Sequence, residues 1–132
     1  MNDRPRWPLE GVKVLDLGQI YNGPYAGFLL AHAGADVVKV EPLGGEVLRK
    51  RGGGLGTPFS LVMLNSKKRG IAIDLKHPNG KALMLDLVRE ADVLLENFAP
   101  GALDRLGFSW ERIQAVSYTH LRAHETDSYL VC

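Results

Sequence analysis

A chain of 132 residues with 45% hydrophobic and 23% charged side chains has the size and composition of one soluble domain or part of one, since such a length buries roughly two-thirds of its unfolded surface. The formal net charge of +1 leaves no basic excess with which to coat nucleic acid, and no apolar run approaches the roughly twenty residues that span a bilayer. A single cysteine, Cys132, excludes an internal disulfide and a thiolate cluster, and residues 1–8 lack the apolar segment of a secretory signal, so the expected setting is a reducing cytoplasm, with no membrane and no nucleic-acid partner.

The run Val-Lys-Val-Leu-Asp-Leu at residues 12–17, bounded by Gly11 and Gly18, reads as a first strand, because short apolar runs with β-branched residues between glycines favour extended chain. Gly23 and Pro24 then supply an N-cap and a proline at the first helical position, and an apolar stretch runs to Ala33 with Gly34 as its stop, a first helix. Asp-Val-Val-Lys-Val-Glu at residues 36–41 is a second strand, ended by Pro42, Gly44 and Gly45. Strand, helix and strand within about thirty residues form a βαβ unit, whose right-handed crossover makes the strands parallel neighbours.

Residues 42–69 are rich in glycine and read as loop, with a short helix around residues 59–64. Gly-Ile-Ala-Ile-Asp-Leu at residues 70–75 is a third strand, and residues 81–90 carry Leu83, Met84, Leu87 and Val88 at helical spacing. Residues 92–96 form a fourth strand, residues 97–101 a turn and residues 102–106 a short helix. Ser109 offers the N-cap of a last helix, with acidic Glu111 in its first turn. This alternation predicts an α/β fold, the truncated N-terminal part of a doubly wound, Rossmann-like parallel sheet.

From Val116 the character changes. Val-Ser-Tyr-Thr-His-Leu-Arg-Ala-His-Glu-Thr at residues 116–126 has no period, no cap and no continuation of the last helix, and read back into codons it resembles the adapter of transposase-made sequencing libraries. Residues 129–132 fit the adapter sequence beyond its index. Residues 1–115 are therefore read as the native part and residues 116–132 as an adapter translation, outside functional reasoning. His120, His124 and Cys132, which a metal search would select first at their His-x-x-x-His spacing, fall with it, and no metal is predicted.

Pro-Leu-Glu-Gly-Val-Lys-Val-Leu-Asp-Leu at residues 8–17, Gly-Pro-Tyr-Ala at 23–26, Gly-Ala-Asp-Val-Val-Lys-Val-Glu-Pro at 34–42, Leu-Asn-Ser-Lys-Lys-Arg-Gly at 64–70 and Glu-Asn-Phe-Ala-Pro-Gly-Ala-Leu-Asp-Arg-Leu-Gly at 96–107 follow in order along the chain. Together they resemble the N-terminal part of family III coenzyme A transferases, the CaiB/BaiF family, and formyl-coenzyme A transferase-like members above all. The resemblance covers residues 8–114, and full-length members are much longer.

On physical grounds the turn at residues 21–24 ends strand one and opens helix one, where unsatisfied N–H groups favour an anion and where open α/β sheets bind ligands. The resemblance implies coenzyme A contacts at Tyr21 and Asn22 in that turn, at Lys76 and the backbone around Ile73, at Asn97 and Phe98 after strand four, and at Arg105, pairing with a phosphate. Some members carry an arginine where Pro42 stands here, a role that Arg49, Lys50 or Arg51 could take over. Glu41 resembles the ribose-binding acid of dinucleotide folds, yet no Gly-x-Gly-x-x-Gly follows strand one. The basic run Lys67-Lys68-Arg69 reads either as a solvated loop or as cations for the ligand's phosphates. Gly52-Gly53-Gly54 reads as a flexible loop, since no Gly-Lys-Ser/Thr closes it.

The chemistry implied is covalent: an aspartate carboxylate attacks an acyl thioester, forms a mixed anhydride, expels the coenzyme A thiolate and is relieved by an incoming carboxylic acid. That aspartate is expected past Ala115, so none of Asp16, Asp36, Asp74, Asp86, Asp92 and Asp104 is assigned as catalytic, and the fragment is expected to be inactive. Coenzyme A is then substrate and not a permanently bound cofactor. The implied partners are an acyl-coenzyme A, a small carboxylic acid and, for the full-length protein, a second copy in an intertwined homodimer. An α-methylacyl-coenzyme A racemase, using an acid/base pair on the same scaffold, is the alternative within the family, and a non-catalytic nucleotide-binding α/β module the alternative outside it.

Overall fold

Strands whose side chains must be apolar on both faces, joined by segments with helical periodicity, are driven to a parallel sheet covered on both sides. The computed structural model, which describes residues 6–51 and 58–117, has this architecture. In chain order the elements are β1 (Lys13–Asp16), α1 (Asn22–His32), β2 (Asp36–Glu41), a 3₁₀ turn (Val47–Arg51), α2 (Phe59–Leu64), β3 (Arg69–Ala72), α3 (Pro78–Glu90), β4 (Val93–Leu95), α4 (Ala102–Arg105) and α5 (Trp110–Val116). The strands lie in the order β3-β2-β1-β4, every neighbouring pair parallel, with Leu15 opposite Val38 on one side and Leu94 on the other. Side-chain alternation along β1 sends Val14 to a cluster with Ala31, Ala35 and Val37 beneath α1. Leu15 goes to the opposite face, where Met84, Leu85 and Val88 of α3 meet Phe108 and Ile113.

Several boundaries depart from the sequence reading. The first helix starts at Asn22 with Tyr21 as its cap, so Gly23 is not the cap and Pro24 is not the first helical residue. Pro24 still lies in the first turn, where a missing N–H removes no intrahelical bond. The helix read over 81–90 begins at Pro78, a proline at the first position behind His77, whose ring Nδ1 accepts the Asn79 N–H at 3.2 Å. The third strand is shorter than residues 70–75, although the Ile73 N–H still bonds Glu41 O at 2.9 Å beyond its end. Within the stretch read as loop, Val47–Arg51 winds into the 3₁₀ turn and buries Leu48.

The last helix also runs past the point where regular structure was expected to stop. Val116, three residues after buried Ile113, packs against the same core, and the Ser117 N–H bonds Ile113 O at 3.2 Å. The rest of the tail, including His120, His124 and Cys132, lies outside the described residues, as do Gly52, Gly53 and Gly54. Among the described residues no helix is long and apolar enough to cross a membrane.

Candidate functional site at the carboxyl ends of the strands

Strand β1 ends on Asp16, whose side chain is wholly buried. A buried carboxylate needs partners, and this one has two: its Oδ1 accepts the Gly18 N–H at 2.7 Å, and its Oδ2 lies 2.7 Å from Lys68 Nζ. Lys68 also donates to Pro24 O at 2.8 Å and to Asn65 Oδ1 at 3.0 Å. Burial pushes the Lys68 ammonium below its ordinary pKa, and the Asp16 charge opposes that shift without cancelling it. The helix must pass close over this pair. A Cβ on Gly27 of α1 would sit 2.6 Å from Asp16 Oδ2, and one on Gly23 would sit 2.6 Å from Gly18 Cα. Gly18, Gly23 and Gly27 thus bring turn and helix together as a dinucleotide fingerprint does, but the space they open holds the chain's own ion pair.

The turn that follows is tied residue by residue. Lys39 of β2, 3% exposed, donates to Gly18 O at 2.6 Å and forms a 3.2 Å ion pair with Glu46 Oε2. Glu46 Oε1 accepts the Ile20 N–H at 2.6 Å. Asn97, beyond β4, brackets Gln19, its Oδ1 accepting the Gln19 N–H at 2.7 Å and its Nδ2 donating to Gln19 O at 3.0 Å. Glu41 accepts the Glu46 N–H at 2.9 Å and both Arg49 Nε and Nη2 at 2.6 Å. The Arg49 hydrogen bonds, helped by the Glu46 N–H and opposed by burial, hold the Glu41 carboxyl below the usual carboxylate range. The same contact raises the Arg49 guanidinium.

Beside this turn, over the ends of β1, β2 and β3, opens a cleft of about 360 Å³ lined by Gln19, Val40, Leu43, Ile73, Lys76 and Phe98 among others. Ile73, Lys76 and Phe98 of the expected contacts come together here. Tyr21 and Asn22 are exposed at the start of α1 and do not line the cleft. Asn97 spends its amide on Gln19, and Arg105, exposed on α4, lies outside the lining.

Several cations named from the sequence are already engaged. Lys68 is buried against Asp16, while Arg69 and Lys67 remain exposed, Arg69 pairing with Asp36 at 2.6 Å and Lys67 Nζ lying 5.3 Å from the centre of the Trp7 ring. Arg49 is committed to Glu41, which leaves that acid no unbonded oxygen for a ribose, while Lys50 and Arg51 stay exposed. Gln19 and Glu46 were missed. The signal available was Lys39 itself, a cation flanked by valines in the middle of a strand, which a buried position obliges to find a counterion.

The family model described as CoA-transferase family III matches residues 9–119. A formyl-CoA:oxalate CoA-transferase of Bradyrhizobium sp. (strain ORS 278) is 47% identical over 112 residues, which are 83% of this chain and 26% of that protein. One from Streptomyces coelicolor is 44% identical over 111 residues, 83% of this chain and 27% of that protein. Among solved structures, the hypothetical protein Rv3272 from Mycobacterium tuberculosis superposes with a TM-score of 0.82 at 35% identity, over 89% of this chain and 33% of that one. A CAIB/BAIF family protein from Brucella suis gives 0.78 at 38% identity, over 84% of this chain and 31% of that one. The chain spans about a quarter of the length of the curated relatives it matches.

Proposed function

The chain belongs to CoA-transferase family III, and from that premise we propose that it is the coenzyme-binding N-terminal part of an enzyme moving coenzyme A between an acyl-coenzyme A thioester and a small carboxylic acid. The observation that carries this reading is the cleft at the strand ends, where a cation, an aromatic ring and apolar walls meet beside a turn held by buried side chains. A nucleotide thioester asks for that combination: apolar and aromatic surface for a base or a pantetheine arm, and cations for its phosphates. Lys76, at the rim, and Arg105, on α4, take the phosphates in this reading, Ile73 and Phe98 form walls, and Tyr21 and Asn22 meet the ligand at the N-terminus of α1.

No aspartate of this chain is assigned the covalent step. Asp16, Asp74 and Asp92 accept backbone N–H groups of Gly18, Lys76 and Lys13, while Asp36 and Asp86 pair with Arg69 and Arg89. Asp104 does not line the cleft. The nucleophile that forms the mixed anhydride is assigned to a further part of the enzyme, and this chain alone has no exchange activity. Both relatives described above are named as transferases, which favours transfer over racemisation. The apolar residues Tyr25, Leu29, Phe59 and Val62, each at least half exposed, support cover by further chain or by a second copy, in keeping with a cytoplasmic homodimer.

Titration of coenzyme A into the 132-residue chain, beside an assay of acyl-coenzyme A to carboxylate exchange, tests the reading. Saturable binding without turnover is expected. Failure to bind coenzyme A by a folded chain, or exchange catalysed by the chain alone, would overturn it.

A further inference from the structure

Ile20 has φ +64°, a left-handed conformation that a β-branched residue adopts only against steric repulsion between its side chain and the backbone. Something outside the turn must hold it there. The Ile20 N–H donates at 2.6 Å to a carboxylate oxygen of Glu46, a residue 1% exposed that arrives from the loop after β2. That carboxylate is fixed from behind, because the Glu46 N–H is bonded to Glu41 and its second oxygen sits 3.2 Å from buried Lys39 Nζ. The second oxygen makes no hydrogen bond, only the ion pair. A buried ion pair is a weak source of stability, whereas a short, charge-assisted bond to one backbone N–H is a strong determinant of geometry. Directly after Ile20 the chain turns into α1, whose first turn has no side-chain cap.

We infer that Glu46, with Lys39 as its counterion, is a positioning residue for coenzyme A: it holds Ile20 left-handed and thereby presents residues 21–22 to the anionic part of the ligand. The inference rests on the coenzyme A reading above, and the turn's other ties explain why Glu46 is the decisive one. Gly18 and Gln19 are held in conformations that need no such restraint, by Asp16, Lys39 and Asn97. Ile20 is the turn residue with positive φ, and Glu46 is the side chain that bonds its N–H.

The test uses amide-resolved NMR and calorimetric titration of coenzyme A on the full 132-residue chain. The wild-type Ile20 amide proton is expected far downfield and protected from exchange. Glu46→Gln should move it upfield with the remaining spectrum dispersed, and should weaken coenzyme A by about tenfold, the loss of one charge-assisted bond. Glu46→Asp, which keeps the carboxylate, should recover part of the affinity. Adding Ile20→Gly to Glu46→Gln should recover most of it, because glycine takes positive φ without a Cβ penalty. Exposed Glu90→Gln should change neither readout.

Affinity within about twofold of wild type in Glu46→Gln, or no recovery with Ile20→Gly, overturns the inference alone. If the spectrum of Glu46→Gln collapses, the same comparison is made in Glu46→Asp with and without Ile20→Gly, and absence of recovery there again overturns it. A folded wild-type chain that binds no coenzyme A, with the Ile20 signature intact, refutes the coenzyme A reading and this inference with it, so the two failures are distinguishable.

Discussion

Replacing Lys68 by Met should destabilise the chain by about 3–5 kcal/mol, the usual consequence of leaving a buried charge without its partner. The geometry places this pair at the severe end, since the side chains of Lys68 and Asp16 are 1% and 0% exposed. Asp16 would keep only its bond from the Gly18 N–H. Against a typical domain stability of about 5–15 kcal/mol the loss is large, and in urea, with a slope of about 1–3 kcal/mol per molar, it should lower the unfolding midpoint by about 1–5 M. Denaturant unfolding followed by circular dichroism reads this directly. Two companions sharpen it. Lys13→Met breaks a 3.3 Å pair whose side chains are 55% and 76% exposed, and should cost at most about 1 kcal/mol. Adding Asp16→Asn to Lys68→Met removes the stranded charge while keeping an acceptor for Gly18, so the double variant should be more stable than Lys68→Met. A Lys68→Met midpoint as close to wild type as that of Lys13→Met would refute the argument that this pair joins β1 to the loop before β3.

Gly27→Ala should destabilise by about 1–3 kcal/mol, because its methyl would meet Asp16 Oδ2 at 2.6 Å and Lys68 Nζ at 2.9 Å; thermal unfolding checks it, and a neutral result would mean that α1 can lift off the pair freely. Lys76→Ala and Arg105→Ala should each weaken coenzyme A by roughly 1.5–3 kcal/mol if both reach phosphates, and calorimetry with the fold verified separates them: loss at Lys76 alone would restrict the phosphate site to the cleft rim. The Glu41 pKa lies below 4.5 in the folded chain, so its pairing with Arg49 contributes stability that is complete above pH 4.5 and is lost as the pH falls from there through the lowered value. Arg49 is 48% exposed, so the contribution is screened to below about 1 kcal/mol, and Arg49→Met should flatten this part of the acid stability curve. Sequencing the source locus should give codons other than those for residues 116–132 directly after Ala115; finding the same run in the genome would defeat the adapter reading.

The sheet was legible because each strand is a short apolar run closed by glycine, proline or a charged residue, and each crossover carries helical periodicity. Local chemistry of that kind survives folding, which is why even the weak helix at residues 59–64 stands where its apolar spacing puts it. The boundaries that moved did so for tertiary reasons. Helix α1 begins earlier because the ties on Gly18, Gln19 and Ile20 hold the preceding turn, and α5 runs longer because Val116 finds the core beside Ile113. The 3₁₀ turn at Val47–Arg51 carries no periodic signal, since it is held by the Glu46 and Arg49 bonds to Glu41 and by a single buried leucine, Leu48.

The candidate site was legible by position but not by partnership. Sequence pattern identifies the carboxyl ends of the strands as the ligand edge, and the cleft opens there with Ile73, Lys76 and Phe98 on its walls. What pattern cannot say is which charges are spent on the protein itself. Lys68, Arg49, Glu41 and Asn97 each looked available to a ligand, and each is bonded to another residue across a gap of 8 to 78 positions. Such pairing depends on the strand order β3-β2-β1-β4, which brings Asp16, Lys39 and Glu41 to one edge, where Lys68 from the loop before β3 meets Asp16 and Glu46 and Arg49 from the segment after β2 meet Lys39 and Glu41. The selection that results is physical: a cation that must offset a buried carboxylate is not free to bind phosphate, and one with no such obligation at the cleft rim is. On the coenzyme A reading proposed above, that criterion selects Lys76, which lines the cleft and has no ion pair among the described residues, while the glycines at 18, 23 and 27 serve the scaffold beneath it.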